Sequence, residues 1–459
     1  MTSFFYSNLS KDFSLILNDA DDYNVIINVG ENENAKEFRA HSVILRARSP
    51  YFKSALSSCW VTKKNGMIIF DKKNIKPNVF DIILRYIYAG ELDLIEQSSE
   101  DIYELLIASD ELLIEELFNH VQDYFVEKQT EWIQKNLYLV LNIAFKLNNC
   151  KKLQNYILEF ICKVSHSFIT SNEFLSLDKD IIYKVLEREE LDVREIVVWD
   201  HLIKWGIEQI PDLGSEKNDI NRWSNEYYED LKEILNQLIP LIRFVDITFD
   251  DFNYKIKPYK DIIPNQIYEE IEEFYSKGTF PKKTTLSPRV GKFDSKIIKP
   301  KLAKIIIKWI NKEDFWISSY IFNLIYRGIN IETIKNKCKD QVESLVLIKV
   351  KNSNKIFGGY SSIGFHSMGY SFLRIHNSFQ YSSDNFIFSF ENDEDTQNME
   401  ISRGKAIYDI SGIKFDFGFD SFFVSENGLG LCVTSYEPNF NSFEIYDIEE
   451  IETFIITKQ

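Results

Sequence analysis

Cysteine is scarce in this sequence: Cys59, Cys150, Cys162, Cys338 and Cys432 are odd in number and far apart. That pattern excludes a disulfide scaffold and predicts reduced, mostly buried thiols in a cytoplasmic or nuclear protein. Glycine and proline are few, 17 and 10 in 459 residues, which favours long helices over a turn-rich all-β chain. Only 4 methionines stand against 36 phenylalanines, so the cores should be built from Phe and Ile. No apolar run reaches the length needed to cross a bilayer, and the opening MTSFFYSNLSKDFSL lacks the basic start and apolar stretch of a secretory signal. Membrane insertion is therefore not expected. Positive charge is in the minority, with 53 Lys and Arg against 70 Asp and Glu and a net charge of −17. A chain of that sign repels nucleic acid and anionic membranes as main ligands.

Catalytic signatures are missing too. The sequence has no G-x-S-x-G, P-loop, H-E-x-x-H or C-x-x-C. Cys432 and His366 offer a thiol and an imidazole, but Cys432 sits in an apolar strand pattern that suits a buried, inert thiol. The acidic run Glu391 to Thr396 lacks the alternating ligands and trailing glutamate of a calcium loop, and reads as a solvated turn. Gly358-Gly359 follows a strand, where paired glycines serve a bulge or a close backbone crossing rather than a dinucleotide. No catalytic, cofactor-binding or metal-binding residue is assigned, and no cofactor is expected.

What is present falls into three textures. Up to about residue 126, a helix over Leu9 to Asp19 precedes a strand hairpin, NVIINV and KEFRA. A short helix, the strand GMIIFDKK and two longer helices follow. The first of these begins at Pro77 and stops at Gly90; the second opens on Ser99 and runs to Lys128. Residues 127 to 274 read as helix almost throughout. Residues 275 to 292 carry Lys277, Lys282, Lys283, Arg289 and Lys292 with two prolines and no acid, which predicts an exposed basic linker. Beyond it AKIIIKWI and ISSYIFNLIYRG look helical. Seven short runs from SLVLIKVK to SFEIYDIEEIETFIIT read as strands, so 293 to 459 should be a sheet-rich sandwich with helices at its edge. The whole is a multidomain α+β protein.

The stretch EFRAHSVILRARSPYF carries a histidine at a helix mouth and an aromatic pair just after a proline. With Phe38, Ala40, His41, Leu45, Ser49, Tyr51 and Phe52 it resembles the signature of the BTB/POZ domain. Phe80, Leu84, Tyr86, Tyr88 and Gly90 match that family's later helix and Tyr-x-Gly turn. His41 is then a helix-entry packing residue. The second texture resembles the BACK domain of Kelch-type adaptors through Leu186, Leu191, Val193, Glu195, Val198, Trp205 and the LIPLIRF element at 238 to 244. The third resembles a TLDc domain through Leu324, Ile325, Tyr326, Arg327, Leu345, Ile348 and the Phe357-Gly358-Gly359-Tyr360 run.

The resemblance implies a non-enzymatic adaptor. BTB domains pair through their first helix, here through Leu9, Phe13 and Ile16, and many bind a cullin scaffold of a RING ubiquitin ligase. The cullin-facing residues implied are Phe52, Leu56, Trp60 and Thr62. Trp60 keeps the hydrophobic anchor of that element, whereas Thr62 stands where its glutamate is usual. The TLDc domain would hold an unidentified protein client. A second implied reading is a BTB-dimerised TLDc regulator of oxidative-stress resistance or of the vacuolar proton pump, without ubiquitin chemistry.

Overall fold

The computed structural model describes residues 6–458 apart from 20–21, 58–61, 148, 211–224, 278–284, 292, 313–319, 339–340, 364–379, 394, 404–405, 408–414, 417–421, 426–427 and 432–443. The chain divides into two compact units, residues 1–160 and 161–459.

The first unit opens with α1 (Tyr6–Asp19) and builds a four-stranded sheet from β1 (Val25–Val29), β2 (Lys36–Ala40), β3 (Thr62–Lys64) and β4 (Met67–Lys72). The strand order is β2-β1-β4-β3, with β1 antiparallel to β2 and parallel to β4. Alternation is the cause: Val25, Ile27 and Val29 are wholly buried while Ile26 and Asn28 between them are only half covered. Asn65 and Gly66, at φ 53° and 80°, form the tight turn joining β3 to β4.

Two short helices, α2 (Ser42–Arg48) and α3 (Pro50–Ala55), meet at Ser49. Its hydroxyl oxygen accepts the Phe52 N–H at 3.2 Å, capping α3 where Pro50 takes the first helical position. The same hydroxyl donates to the Leu112 carbonyl at 2.7 Å, which ties the corner to the helices below. Those are α4 (Pro77–Ala89), α5 (Ser99–Glu111) and α6 (Glu115–Lys128). Gly90 closes α4 at φ 68°. The sequence predicts one helix from Ser99 to Lys128, but the structure breaks it: Leu113 turns to φ 54°, exposing itself so that Leu112 and Ile114 both reach the core. α7 (Thr130–Lys135) and α8 (Leu137–Lys146) follow, then α9 (Lys151–Lys163), whose last residues enter the second unit.

The second unit continues the helical run with α10 (Ser165–Ile169), α11 (Lys179–Leu186), α12 (Glu195–Glu208), α13 (Asn225–Leu235), the single turn α14 (Phe249–Asp251) and α15 (Asn265–Lys277). Trp199 and Trp205 of α12 are core residues; their indole N–H groups donate to the carbonyls of Lys255 and Leu177.

The exposed-linker expectation for 275 to 292 needs correction. Tyr275 is still in α15, stacked on Phe252 at 4.6 Å, with its hydroxyl donating to the Ile247 carbonyl at 2.5 Å. Among the described residues further on, Thr285, Ser287, Arg289 and Val290 are buried. Arg289 is the reason. Its Nε donates to Glu195 at 2.5 Å, and Nη1 donates to the carbonyls of Leu186 and Arg188. Glu195 also accepts the Arg243 N–H at 3.1 Å, and Arg243 pairs with Glu189 at 3.1 Å. Burial holds the Arg243 guanidinium down at about 10, with the neighbouring Arg289 pushing the same way. Glu189 takes a second cation, Lys304, at 2.6 Å. Residues 285–291 are thus a strap held by buried charges, and Lys282, Lys283 and Lys292 lie outside the described residues.

After the strap come α16 (Pro300–Asn311), β5 (Tyr320–Gly328), α17 (Ile331–Cys338), β6 (Ser344–Val350), β7 (Ile356–Ser361), β8 (Gln380–Tyr381), β9 (Phe386–Phe390), β10 (Met399–Arg403), β11 (Ala406–Ile407), β12 (Phe415–Asp416), β13 (Phe422–Ser425), β14 (Gly428–Leu431), β15 (Glu444–Tyr446) and β16 (Ile448–Lys458). Six strands pair in the order β10-β9-β7-β6-β16-β5, four in the order β12-β13-β14-β15, and β8 pairs with β11. The expected helix over ISSYIFNLIYRG is overturned where it is described: Tyr320–Gly328 is a strand along β16. Its aromatic and branched residues suit a pleated surface, and Tyr320 and Phe322 alternate into the core.

Both faces of the six-stranded sheet are covered, which explains its near-continuous apolar strands. Leu345 and Leu347 of β6 face α16 through Leu302, Ile306 and Ile307. Val346, Ile348 and Val350 face the second sheet through Val424 and Leu429. Gly358 permits this packing, since a Cβ there would lie 2.3 Å from the Phe388 ring and 2.8 Å from the Val346 carbonyl. Gly358 therefore serves a close crossing, the role its sequence context implies. Glu452, wholly buried on β16, accepts from Arg327 Nε at 2.7 Å and from Ser295 at 2.5 Å.

Candidate interaction surfaces

The first surface is α1. Its apolar residues recur at helical spacing, yet Leu9, Leu15 and Ile16 are 53%, 61% and 40% exposed. Ser10 anchors the helix by donating to the Ala89 carbonyl at 2.5 Å, at the end of α4. Leu9 and Ile16 lie seven residues apart on one face, and Phe13 between them is half buried. Fully burying an aliphatic side chain is worth about 1.5–3 kcal/mol, and each of these, about half exposed, forgoes roughly half of that. Leu15 belongs to the same helical recurrence in the sequence but lies off the Leu9–Ile16 face, and it is the most exposed of the three.

The second surface was expected at Phe52, Leu56, Trp60 and Thr62. Phe52 is wholly buried and Leu56 is 7% exposed, so these two are core side chains and offer nothing to a partner in this structure. Phe52 packs edge-on against Tyr51 and Phe70 at ring distances of 5.5 and 6.0 Å. Beneath them the buried Lys72 ammonium pairs with Glu111 and donates to the Tyr51 hydroxyl at 3.1 Å. Trp60 lies outside the described residues. Thr62 opens β3, opposite Ile69 of β4.

His41 is where sequence placed it, at the entry to α2. Its backbone N–H donates to the Tyr88 hydroxyl at 2.8 Å, and Nδ1 lies 2.8 Å from the same oxygen. Burial raises the Tyr88 phenol to about 12, so it stays protonated. The pair joins the entry of α2 to α4.

The thiols give no nucleophile among the described residues. Burial pushes Cys150 and Cys338 up to about 12 and Cys162 to about 11, far from the thiolate that reactivity needs. Cys432 and His366 lie outside the described residues. Among the described residues no three His, Cys, Asp or Glu side chains cluster as metal ligands, and no helix is long and apolar enough to cross a membrane.

Comparison with known proteins follows this geometry. Residues 15–129 match the model of the BTB/POZ domain, 137–213 that of BTB And C-terminal Kelch, and 291–455 that of the TLDc domain. Kelch-like protein 40a of Danio rerio is 30% identical over 172 residues, 37% of this chain and 26% of that protein. Kelch-like protein 40 of Xenopus laevis is 23% identical over 297 residues, 62% of this chain and 43% of its own. The matches thus span less than half of either relative's length. The solved BTB domain of zebrafish PATZ1 aligns with 27% of this chain and 96% of its own at 24% identity, with a TM-score of 0.22.

Proposed function

From a chain that carries a BTB/POZ domain, a BACK segment and a TLDc domain in that order, we propose a non-enzymatic protein-interaction adaptor, paired with its own copy through α1. The working domain limits are 1–126, 127–274 and 293–459. The observation that carries the reading is the apolar face of α1, Leu9 and Ile16, left in water at the head of a BTB domain. A second copy would cover it. On this reading the chain is a homodimeric substrate receptor for a cullin-RING ubiquitin ligase, and the TLDc domain holds the client.

With Phe52 and Leu56 in the core, the cullin-facing role falls to Trp60 and to the β3–β4 hairpin that begins at Thr62. A large aromatic suits an interface anchor. The test is a pull-down of the full chain with a cullin amino-terminal domain. Retention by the wild type and loss in Trp60→Ala supports the ligase role. Absence of retention at every concentration tried removes it.

Thr62, in place of a charged residue, favours a second reading: a BTB-dimerised TLDc regulator linked to oxidative stress or the vacuolar proton pump, without ubiquitin transfer. Installing Thr62→Glu separates the two. A gain of cullin binding only in that variant assigns the native chain to the second reading.

A further inference from the structure

The adaptor reading leaves open how the TLDc domain would hold a guest. Its six-stranded sheet ends on β10 at one side and on β5 at the other. Edge strands are normally blunted by charge or proline, because a row of unpaired N–H and C=O groups templates another strand. β10 carries Glu400 and Arg403 within MEISR. β5 reads YIFNLIY from Tyr320 to Tyr326, with neither charge nor proline.

The ladder shows which groups face out. β16 gives its Ile456 N–H to the Glu343 carbonyl, on the side of β6. Alternation then turns Ile455 and Thr457 toward β5, where they stand opposite Asn323 and Ile321. Tyr320, Phe322 and Leu324 therefore direct their N–H and C=O groups outward. None of the three gains a backbone partner on that side among the described residues. The open stretch stops at Ile325, whose carbonyl accepts from the Lys337 ammonium at 3.1 Å. Tyr320 and Phe322 bury their side chains, at 5% and 4% exposure, so what they leave at the edge is main chain. From Tyr320 to Leu324 that edge measures roughly 14 Å, the length of a short strand.

Beside the Tyr320 end lies a cleft of about 520 Å³. β5 forms one wall through Tyr320 and Ile321; the strap, through Val290, and the start of α12, through Ile196, form the other. Glu195 and Arg289 in that wall pair with each other at 2.5 Å. The remaining charges, Asp192, Arg194, Asp246 and Asp251, are of both signs and single out no charged guest. The volume falls within the ~300–1,000 Å³ of ligand pockets, room for one chain segment but not for the sheet of a second copy.

We propose that an extended, uncharged segment of a partner protein adds to β5 as a further strand, with one end seated in this cleft. Its main chain would pair with Tyr320, Phe322 and Leu324, and apolar side chains on its two faces would rest on the half-buried Ile321 and Leu324. The proposal names how the TLDc domain holds a guest and rests on the adaptor reading only for its purpose, because the binding itself is measured without a cullin.

The test is fluorescence anisotropy of the full chain with a labelled peptide of about seven residues alternating Val with Thr. Its fully N-methylated counterpart keeps the side chains and lacks every main-chain donor that a ladder needs. Two variants address the edge. Leu324→Pro removes an outward N–H, where edge strands tolerate proline, and Ile321→Lys/Asn323→Lys charges the strand. Saturable binding that is absent with the N-methylated peptide and weakens at least tenfold in both variants supports the edge. Glu400→Lys on β10 should leave affinity unchanged. Circular dichroism confirms that each variant is folded; should Leu324→Pro fail there, the lysine pair carries the test. No binding of the unmodified peptide, equal binding of the N-methylated one, or full affinity in the lysine pair each overturns the proposal. Peptide binding without cullin retention keeps the edge and removes the ligase role; the reverse result does the opposite.

Discussion

At the scale of single residues, three side chains decide more than their neighbours. Ser49 caps α3 and satisfies the Leu112 carbonyl with one hydroxyl, so Ser49→Ala removes a cap and strands a buried acceptor. The expected loss is about 2 kcal/mol, read as a shift in urea midpoint without change of slope. Arg289 is a stronger case. Its guanidinium is 4% exposed and its partner Glu195 1%, so Arg289→Ala leaves a buried carboxylate uncompensated. The expected cost is about 3–5 kcal/mol, and the double variant Arg289→Met/Glu195→Gln should recover much of it. Tyr88 supplies a pH signature. Folded, its phenol holds its proton to about pH 12; unfolded, it would ionise near pH 10. The native state binds the extra proton in that window, so stability should fall as pH rises from 10 to 12. Tyr88→Phe removes this contribution, and the alkaline unfolding curves of the two chains should differ in slope there.

Element by element, the sequence is legible where one periodicity dominates and misleading where packing overrides it. The hairpin of β1 and β2 and the limits of α4 follow from alternation, Pro77 and Gly90. Leu113 hides the break between α5 and α6, because a leucine at positive φ carries no turn signal. β5 reads as helix because Ile and Tyr near its centre are apolar on both sides of the strand, which masks the period of two. The strap is misread for a different reason. Lysines and prolines suggest solvent, and nothing local shows that Arg289 will find Glu195, 94 residues away. Limited proteolysis tests this element. In the native chain 285–291 should resist cleavage, and Arg289→Ala should open it. Cleavage there in the wild type at the same rate as in the variant would contradict the strap.

Across the whole molecule, domain order was readable because short motifs carry it: Ala40-His41 with Tyr88, Glu195 with Arg243, and Gly358 under Phe388. Structure gives each a physical role, as a hydroxyl bridge, a backbone N–H donated to a buried carboxylate and a close crossing. The interaction sites were less legible, since exposure is a property of the folded surface. The resemblance assigns Leu9, Phe13 and Ile16 to pairing and leaves out the more exposed Leu15, while Phe52 and Leu56 are core. The central claim is self-association through α1. Light scattering coupled to size exclusion tests it most directly. The wild type should show twice the 54.1 kDa chain mass, and Leu9→Asp/Ile16→Asp should return it to a folded single chain. A wild type that runs as one chain at every concentration, or a double variant that stays paired, would contradict the account.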